Sequence, residues 1–191
     1  SPAGLTKESK LKQQLSDCVS DELIIISPSP VYGYEAIESL QERLAFLPQS
    51  VSLIDREGWH APTKESEEAK SLHALEALLS MASAKRIVII SGDVHYSFVR
   101  NVNLSNKQVT QVVASALKNK PPLTVLARLG FNLYNYLSKN SNYLSSDQGK
   151  KIIHYSNYCF LIIESEIEIC MYSRGIEHKF KLNNVTNDLD R

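Results

Sequence analysis

No stretch of this 191-residue chain approaches the roughly 20 consecutive apolar residues needed to cross a bilayer as a helix. An excess of one charge is missing too. Lys plus Arg and Asp plus Glu are 21 each, so no global field favours nucleic acid or a membrane surface. The basic residues are also dispersed rather than interleaved with aromatics, which speaks against nucleic-acid binding. Cysteine is scarce. Cys18, Cys159 and Cys170 are too few, and too odd in number, for a disulfide scaffold, and they point to a reducing, cytoplasmic compartment. Residues 1–20 are rich in Lys, Ser and Gln and lack the apolar core of a signal peptide. There is no phosphate-binding Gly-rich run before Gly-Lys-Ser/Thr, no dinucleotide Gly-x-Gly-x-x-Gly, no Cys-x-x-Cys and no Gly-x-Ser-x-Gly elbow.

What is present is organised around Lys85 to Val113. The β-branched run Ile87-Val88-Ile89-Ile90 follows a basic pair and reads as a fully buried strand. Ser91-Gly92-Asp93-Val94-His95-Tyr96-Ser97 comes next, with Gly92 expected to let the chain turn sharply. Ligands in open α/β sheets bind at the carboxyl ends of such strands. Asp93 and His95 are two residues apart, so an extended backbone aims both at one face, where they can serve a divalent ion such as Zn, Mn or Fe. Two donors do not make a metal centre, and on spacing alone the competing reading is a polar strand-end turn.

Upstream, residues 5–20 place Leu11, Leu15 and Val19 four apart, as in an amphipathic helix or N-terminal extension, and residues 22–27 read as a second buried strand. Ser27-Pro28-Ser29-Pro30 ends that strand as a rigid loop, readable either as a stiff connector or as a pocket lining with Ser27, Ser29 and Tyr32. Helices are expected at 34–47, from Ile37, Leu40, Leu44 and Leu47, and at 65–82, from Leu72, Leu75, Leu79 and Ala82 with acidic residues in the first turn. Between them, Asp55-Arg56-Glu57-Gly58-Trp59-His60 is the densest polar-aromatic cluster. Trp59 is readable as a core anchor or as a cleft wall, and Asp55 and His60 as ion ligands, partners of a ligand, or solvated residues. After Tyr96 the period turns towards two, giving a hairpin of 96–103 and 108–114. A helical stretch at 123–137 and a flexible loop at 138–149 follow. Four short β runs then form a meander, with turns at Ser156-Asn157, Ser165 and Arg174-Gly175, before a polar tail at 183–191. The hairpin and the tail strands are expected to extend one mixed sheet in the antiparallel sense.

The words of the motif carry more than its spacing. Ser91 to Ser97 after a hydrophobic strand resembles the last metal-binding motif of the alkaline phosphatase D-like (PhoD-like) branch of the calcineurin-like metallophosphoesterases. Asp55 and Trp59 resemble a degenerate form of that branch's Asp/Trp segment, and Gln111, Ser115, Ala116, Leu117, Lys118 and Asn119 resemble its stretch ending in two small residues, Leu-Lys and Asn. The three landmarks stand in the family's order over roughly residues 23–119.

The resemblance implies an α/β fold: the C-terminal half of an αββα sandwich, with a mixed sheet flanked by helices and an antiparallel β-rich tail. It implies a phosphomonoester or phosphodiester substrate and divalent metal ions (Zn, Mn, Fe or Ca). His95 becomes a metal ligand, Asp93 a ligand or the group that orients His95, and Asp55, Trp59, His60 and Tyr96 the rim of the substrate cleft. Of the family's earlier motifs, no early Asp-x-His or Asp-x-Asp pair and no Asn-His pair is present, Gly-Asp occurs only at Gly92-Asp93, and the one Asp-x-Asp, Asp188-Leu189-Asp190, lies in the polar tail. The chain is therefore expected to be either a single domain or the C-terminal fragment of a larger metallophosphoesterase-like domain, and to be inactive alone. The alternative is a non-catalytic α/β module acting in protein interaction, or a degenerate relative.

Overall fold

A computed structural model describes residues 8–17, 19–35, 67–92, 94, 96–105, 107–114, 142–153, 155, 157–163 and 166–182. These form an α/β fold with two helices and a mixed sheet. The elements are α1 (Glu8–Ser16), β1 (Glu22–Ser27), α2 (Glu67–Met81), β2 (Arg86–Ser91), β3 (Ser97–Leu104), β4 (Lys107–Val113), β5 (Ile152–Ile153), β6 (Asn157–Ile163), β7 (Ile167–Ser173) and β8 (Ile176–Leu182). A five-stranded sheet runs in the order β1-β2-β4-β3-β5, and a three-stranded sheet in the order β6-β7-β8. By its contacts the chain divides into two compact units, Ser1–Ser91 with Asn103–Gln111 and Gly92–Val102 with Val112–Arg191. No described helix is long and apolar enough to cross a membrane. The expected helices at 34–47 and 123–137 and the short apolar run at 51–54 lie outside the described residues.

In the first unit β1 and β2 pair in parallel, from Glu22 opposite Arg86 to Ser27 opposite Ser91. The pair joins the two apolar runs, and a parallel pair requires a long crossover, which here contains α2. Arg86 meets the Glu22 carboxylate at 3.0 Å at the start of the pair, and the Lys85 and Arg86 N–H groups both donate to the Asp21 carbonyl. β2 is buried as expected, with Ile87, Val88 and Ile89 at 0–1% exposure. β1 is not. It lies at the sheet edge, and Ile26 is 83% exposed and Ile24 41%, so its continuous apolar run does not mark burial on both faces.

At nine residues α1 is too short to hold its conformation unaided. Leu15 supplies the tertiary support by packing against Leu78 and Ala82 of the α2 end, with Leu23 beside them. The stripe stops there, because Val19 lies beyond the helix and is 93% exposed. The stripe of α2 is as expected at Leu75, Leu79 and Ala82, with Leu78 added, and His73 is exposed against Glu76 at 3.5 Å. The last turn of α2 holds no basic residue, although its terminal carbonyls favour a cation. Lys107 of β4 supplies it. Its Nζ donates to the carbonyls of Leu79, at 3.0 Å, and Ala82, while its burial pushes the ammonium below its ordinary pKa.

β3 and β4 neighbour each other about the two-residue link Ser105-Asn106, too short for anything but an antiparallel pair. Ser105 takes the positive φ (56°) that such a hairpin needs. In the second unit β5 pairs with the start of β3, Ser97 opposite Ile153 and Phe98 opposite Ile152. The described part of the expected flexible loop, 142–149, is tied down. Tyr143 and Ser146 are buried, Tyr143 bridges Arg100, and the Arg100 guanidinium lies 5.4 Å from the Tyr143 ring centroid.

The four tail runs are strands, but they do not all extend one sheet. β5 joins the larger sheet and β6–β8 make their own. Alternation signals a half-buried strand without saying which sheet it joins. Ile167, Ile169 and Met171 of β7 lie opposite Leu182, Phe180 and His178 of β8, and all six are buried. Arg174 and Gly175, both at positive φ (51° and 76°), form the connecting turn, where glycine carries no steric cost.

His178, one of this face's six residues, is only 7% exposed and its Nδ1 finds no partner among the described residues. Burial lowers its pKa below the ordinary 6.5, against the opposing pull of Asp147. A depressed histidine pKa contributes stability that is complete above 6.5 and is lost as pH falls through the folded value. Thermal melts at pH 7.5 and 5.0 are expected to show lower stability at the acidic value. His178→Leu is expected to flatten that difference, and an equal acid response in the variant would rule His178 out as its source.

Candidate functional site

The carboxyl end of the β1–β2 pair is built around one buried side chain. Gln111, 0% exposed on β4, uses both ends of its amide. Its Oε1 accepts the backbone N–H groups of Val31 and Tyr32 at 3.1 and 3.3 Å. Its Nε2 donates to the Ile89 carbonyl at 3.2 Å and to Ser91 Oγ at 2.9 Å. The loop after β1 is thus clamped to the end of β2. Val31, Tyr32 and Tyr34 are buried, Ser27 Oγ donates to the Ser29 carbonyl at 2.7 Å, and the Tyr32 hydroxyl donates to Glu76 at 3.2 Å. Ser27 and Tyr32, at 7% and 4% exposure, are committed to this packing. These contacts tie the Pro-rich segment down, as a stiff connector requires.

Ser91 is followed by residues 92–96, of which Gly92, Val94 and Tyr96 are described. Gly92 does not hold a positive φ, and a Cβ placed on it would meet the Ala114 carbonyl oxygen at 3.5 Å, an ordinary contact. Gly92 itself therefore does not use glycine's conformational freedom, contrary to expectation. Of the expected site residues, Asp93, His95, Asp55, Trp59 and His60 lie outside the described residues. Tyr96 is described. Half-buried, it stacks on Phe98 with ring centroids 5.9 Å apart at 20°, and Phe98 meets Tyr143 edge-on at 5.9 Å. Tyr96 thus stands in an aromatic row whose middle member is fully buried. Among the described residues no group of three or more His, Cys, Asp or Glu is placed to hold a metal ion.

Just beyond the turn sits a polar pair that the sequence did not single out. Asn157, expected in a turn, is the first residue of β6 and 2% exposed. Its Nδ2 donates to Ser97 Oγ at 2.7 Å and to the Tyr155 carbonyl at 2.8 Å. Ser97 is itself fully buried. Gln111 entered the sequence reading only as part of a resemblance, and nothing in composition or periodicity marks either amide.

The two described thiols offer no nucleophile. Burial, with Cys170 nearby, pushes Cys159 up to about 11, and burial with neighbouring carboxylates raises Cys170, so both are protonated at neutral pH. His154, expected as a strand residue, lies outside the described residues, while His178 is the strand residue it was expected to be. No family model, no curated protein and no solved structure matches the chain.

Proposed function

We propose that the chain is the C-terminal part of a metal-dependent phosphoesterase, in which His95 is a metal ligand and Asp93 either a second ligand or the group that orients His95. The observation that carries this reading is the position of the Gly92–His95 motif in the chain, directly after the carboxyl end of the buried strand β2, which pairs in parallel with β1. In open α/β sheets that edge is where ligands bind. Gln111 holds that end of β2 through the Ile89 carbonyl and Ser91 Oγ.

The donor types suit a borderline divalent ion, an imidazole nitrogen with a carboxylate oxygen. Their number does not suffice, because a catalytic centre uses three or more protein ligands and the described residues complete no such group. The remaining donors belong, on this reading, to motifs upstream of the matched region. A divalent ion in such a centre lowers the pKa of bound water and polarises the phosphoryl oxygen. Asp55, Trp59, His60 and Tyr96 are assigned to the substrate rim, with a phosphoester as substrate.

A second reading needs no metal site. This is a non-catalytic α/β module acting through protein contacts. One assay separates the two. This chain alone, given a general phosphomonoester and a phosphodiester with added Mn or Zn, is expected to show no turnover above buffer. The same substrates offered to a longer protein that carries the upstream motifs are expected to be hydrolysed. Turnover by the short chain that is lost on chelation and in His95→Ala would mean that its own residues, Asp55 and His60 first among them, complete the centre. Failure of the longer protein to hydrolyse either substrate would favour the non-catalytic module.

A further inference from the structure

We propose that the open edge of β6 pairs with β6 of a second copy of this chain, antiparallel about Phe160, and so joins two three-stranded sheets into one. The inference holds under either reading of the Gly92–His95 motif, because it uses neither Asp93 nor His95.

The two edges of the β6-β7-β8 sheet are finished differently. β8 is blunted in the ways that stop an edge from pairing. Glu177, Lys179 and Lys181 stand along it, and Asp147 caps it from the preceding loop. The Asp147 N–H donates to the Lys179 carbonyl at 2.9 Å, and the Lys179 N–H donates to the Asp147 carboxylate at 2.9 Å. β6, Asn157–Ile163, has no charged residue and no proline, and among the described residues no strand lies beyond it. Tyr158, Phe160 and Ile162 alternate along one face of it and are 49%, 56% and 40% exposed, with Ile163 at 46%. An exposed, apolar edge strand without charges is a template for another strand.

The rings on that face are set before a partner arrives. Tyr172 of β7 stacks on Tyr158 at 5.1 Å and meets Phe160 edge-on at 5.8 Å, and its hydroxyl donates to the Glu177 carboxylate. Side chains already held in place lose little freedom on association.

Register and charge select a second copy as the strand that joins. In an antiparallel pair, opposite residues share a face. With Phe160 on the two-fold axis, all seven residues overlap, and Tyr158 of one copy lies opposite Ile162 of the other. Moving the axis to Cys159 or Leu161 shortens the overlap. On the same face Glu168 stands opposite Lys181, and Glu177 meets Lys179 at 3.6 Å, so the neighbouring charges cancel. The whole chain is balanced as well, at 21 basic and 21 acidic residues. Two copies therefore approach without net repulsion, and no charged partner is favoured. One strand edge is small against the roughly 800 Å² per partner of a stable interface, so the dimer is expected to be reversible and micromolar.

Sedimentation velocity on the whole chain, from about 1 μM to about 500 μM, tests this. The unsubstituted chain is expected to pass from monomer to dimer across that range. Phe160→Lys sets two ammonium groups against each other at the axis, and Phe160→Glu sets two carboxylates there. Each variant alone is expected to associate about tenfold more weakly or worse. An equimolar mixture of the two is expected to recover the dimer, because a lysine then faces a glutamate. A change that merely damaged the sheet would not be repaired by mixing. If either variant does not fold, Ile162→Lys mixed with Tyr158→Glu carries the same test, since those positions lie opposite each other in this register. A chain that stays monomeric throughout, a dimer that persists in both Phe160 variants, or a mixture that stays monomeric overturns the proposal.

Discussion

Gln111→Leu is expected to lower the stability of the chain by on the order of 3 kcal/mol or more. The substitution nearly conserves volume, so the loss comes from hydrogen bonding and not from a cavity. It strands two buried N–H groups, those of Val31 and Tyr32, and removes the donor to the Ile89 carbonyl and Ser91 Oγ. Each buried polar group left without a partner costs about 1–3 kcal/mol, partly relieved where Ser91 or water finds a new contact. Gln111→Glu is the informative companion. It keeps the acceptor for the two N–H groups but removes the donor and places a charge in a fully buried position, and it is expected to be at least as damaging at neutral pH. Urea denaturation of the three proteins measures the effect. A loss below about 1 kcal/mol for Gln111→Leu, the range of ordinary surface changes, would show that the loop after β1 is held by other means.

The second large effect is catalytic. In the longer protein that the proposal implies, His95→Ala is expected to abolish phosphoester hydrolysis while altering stability by no more than about 1 kcal/mol, since a polar side chain at a strand-end turn is expected to contribute little to packing. Asp93→Asn is expected to be graded, severe if the carboxylate touches the ion and about 10–100-fold if it only orients His95. Trp59→Ala supplies a contrast. As a core anchor the indole would cost about 3–5 kcal/mol on removal, whereas as a cleft wall its loss would lower the rate and spare the melting temperature. Rates and melting temperatures of the three variants measured together separate these roles. A His95→Ala protein that keeps its rate would make the turn structural.

Local signals carried most of the elements. The apolar runs at β1 and β2, the leucine stripe of α2 and the alternation through β6–β8 are properties of neighbouring residues, and the structure places a strand or helix at each. The parallel pairing of β1 with β2 agrees with two apolar runs separated by a helical pattern. What the sequence did not reveal is long-range. Gln111 reaches Val31 across 80 positions and Asn157 reaches Ser97 across 60, and no local pattern marks a glutamine or asparagine as a clamp. Lys107 falls between the expected hairpin strands 96–103 and 108–114, yet it closes the end of α2 from β4. The exposed isoleucines of β1 show the converse failure, because an apolar run says what a strand can bury and not what covers it. For the proposed site, sequence words supplied Asp93 and His95, which lie outside the described residues, while the hydrogen bonds of Ser91 with Gln111 and of Ser97 with Asn157 left no sequence signal.

X-ray absorption at the metal edge, with metal content per chain, tests the central claim most directly. It is to be made on the longer protein and on its His95→Ala variant. The account expects bound divalent metal whose spectrum shows imidazole scattering, and a His95→Ala protein with reduced metal content and one imidazole fewer around what remains. Equal metal content and an unchanged spectrum in the variant would contradict it and leave the Gly92–His95 turn without a role in metal binding.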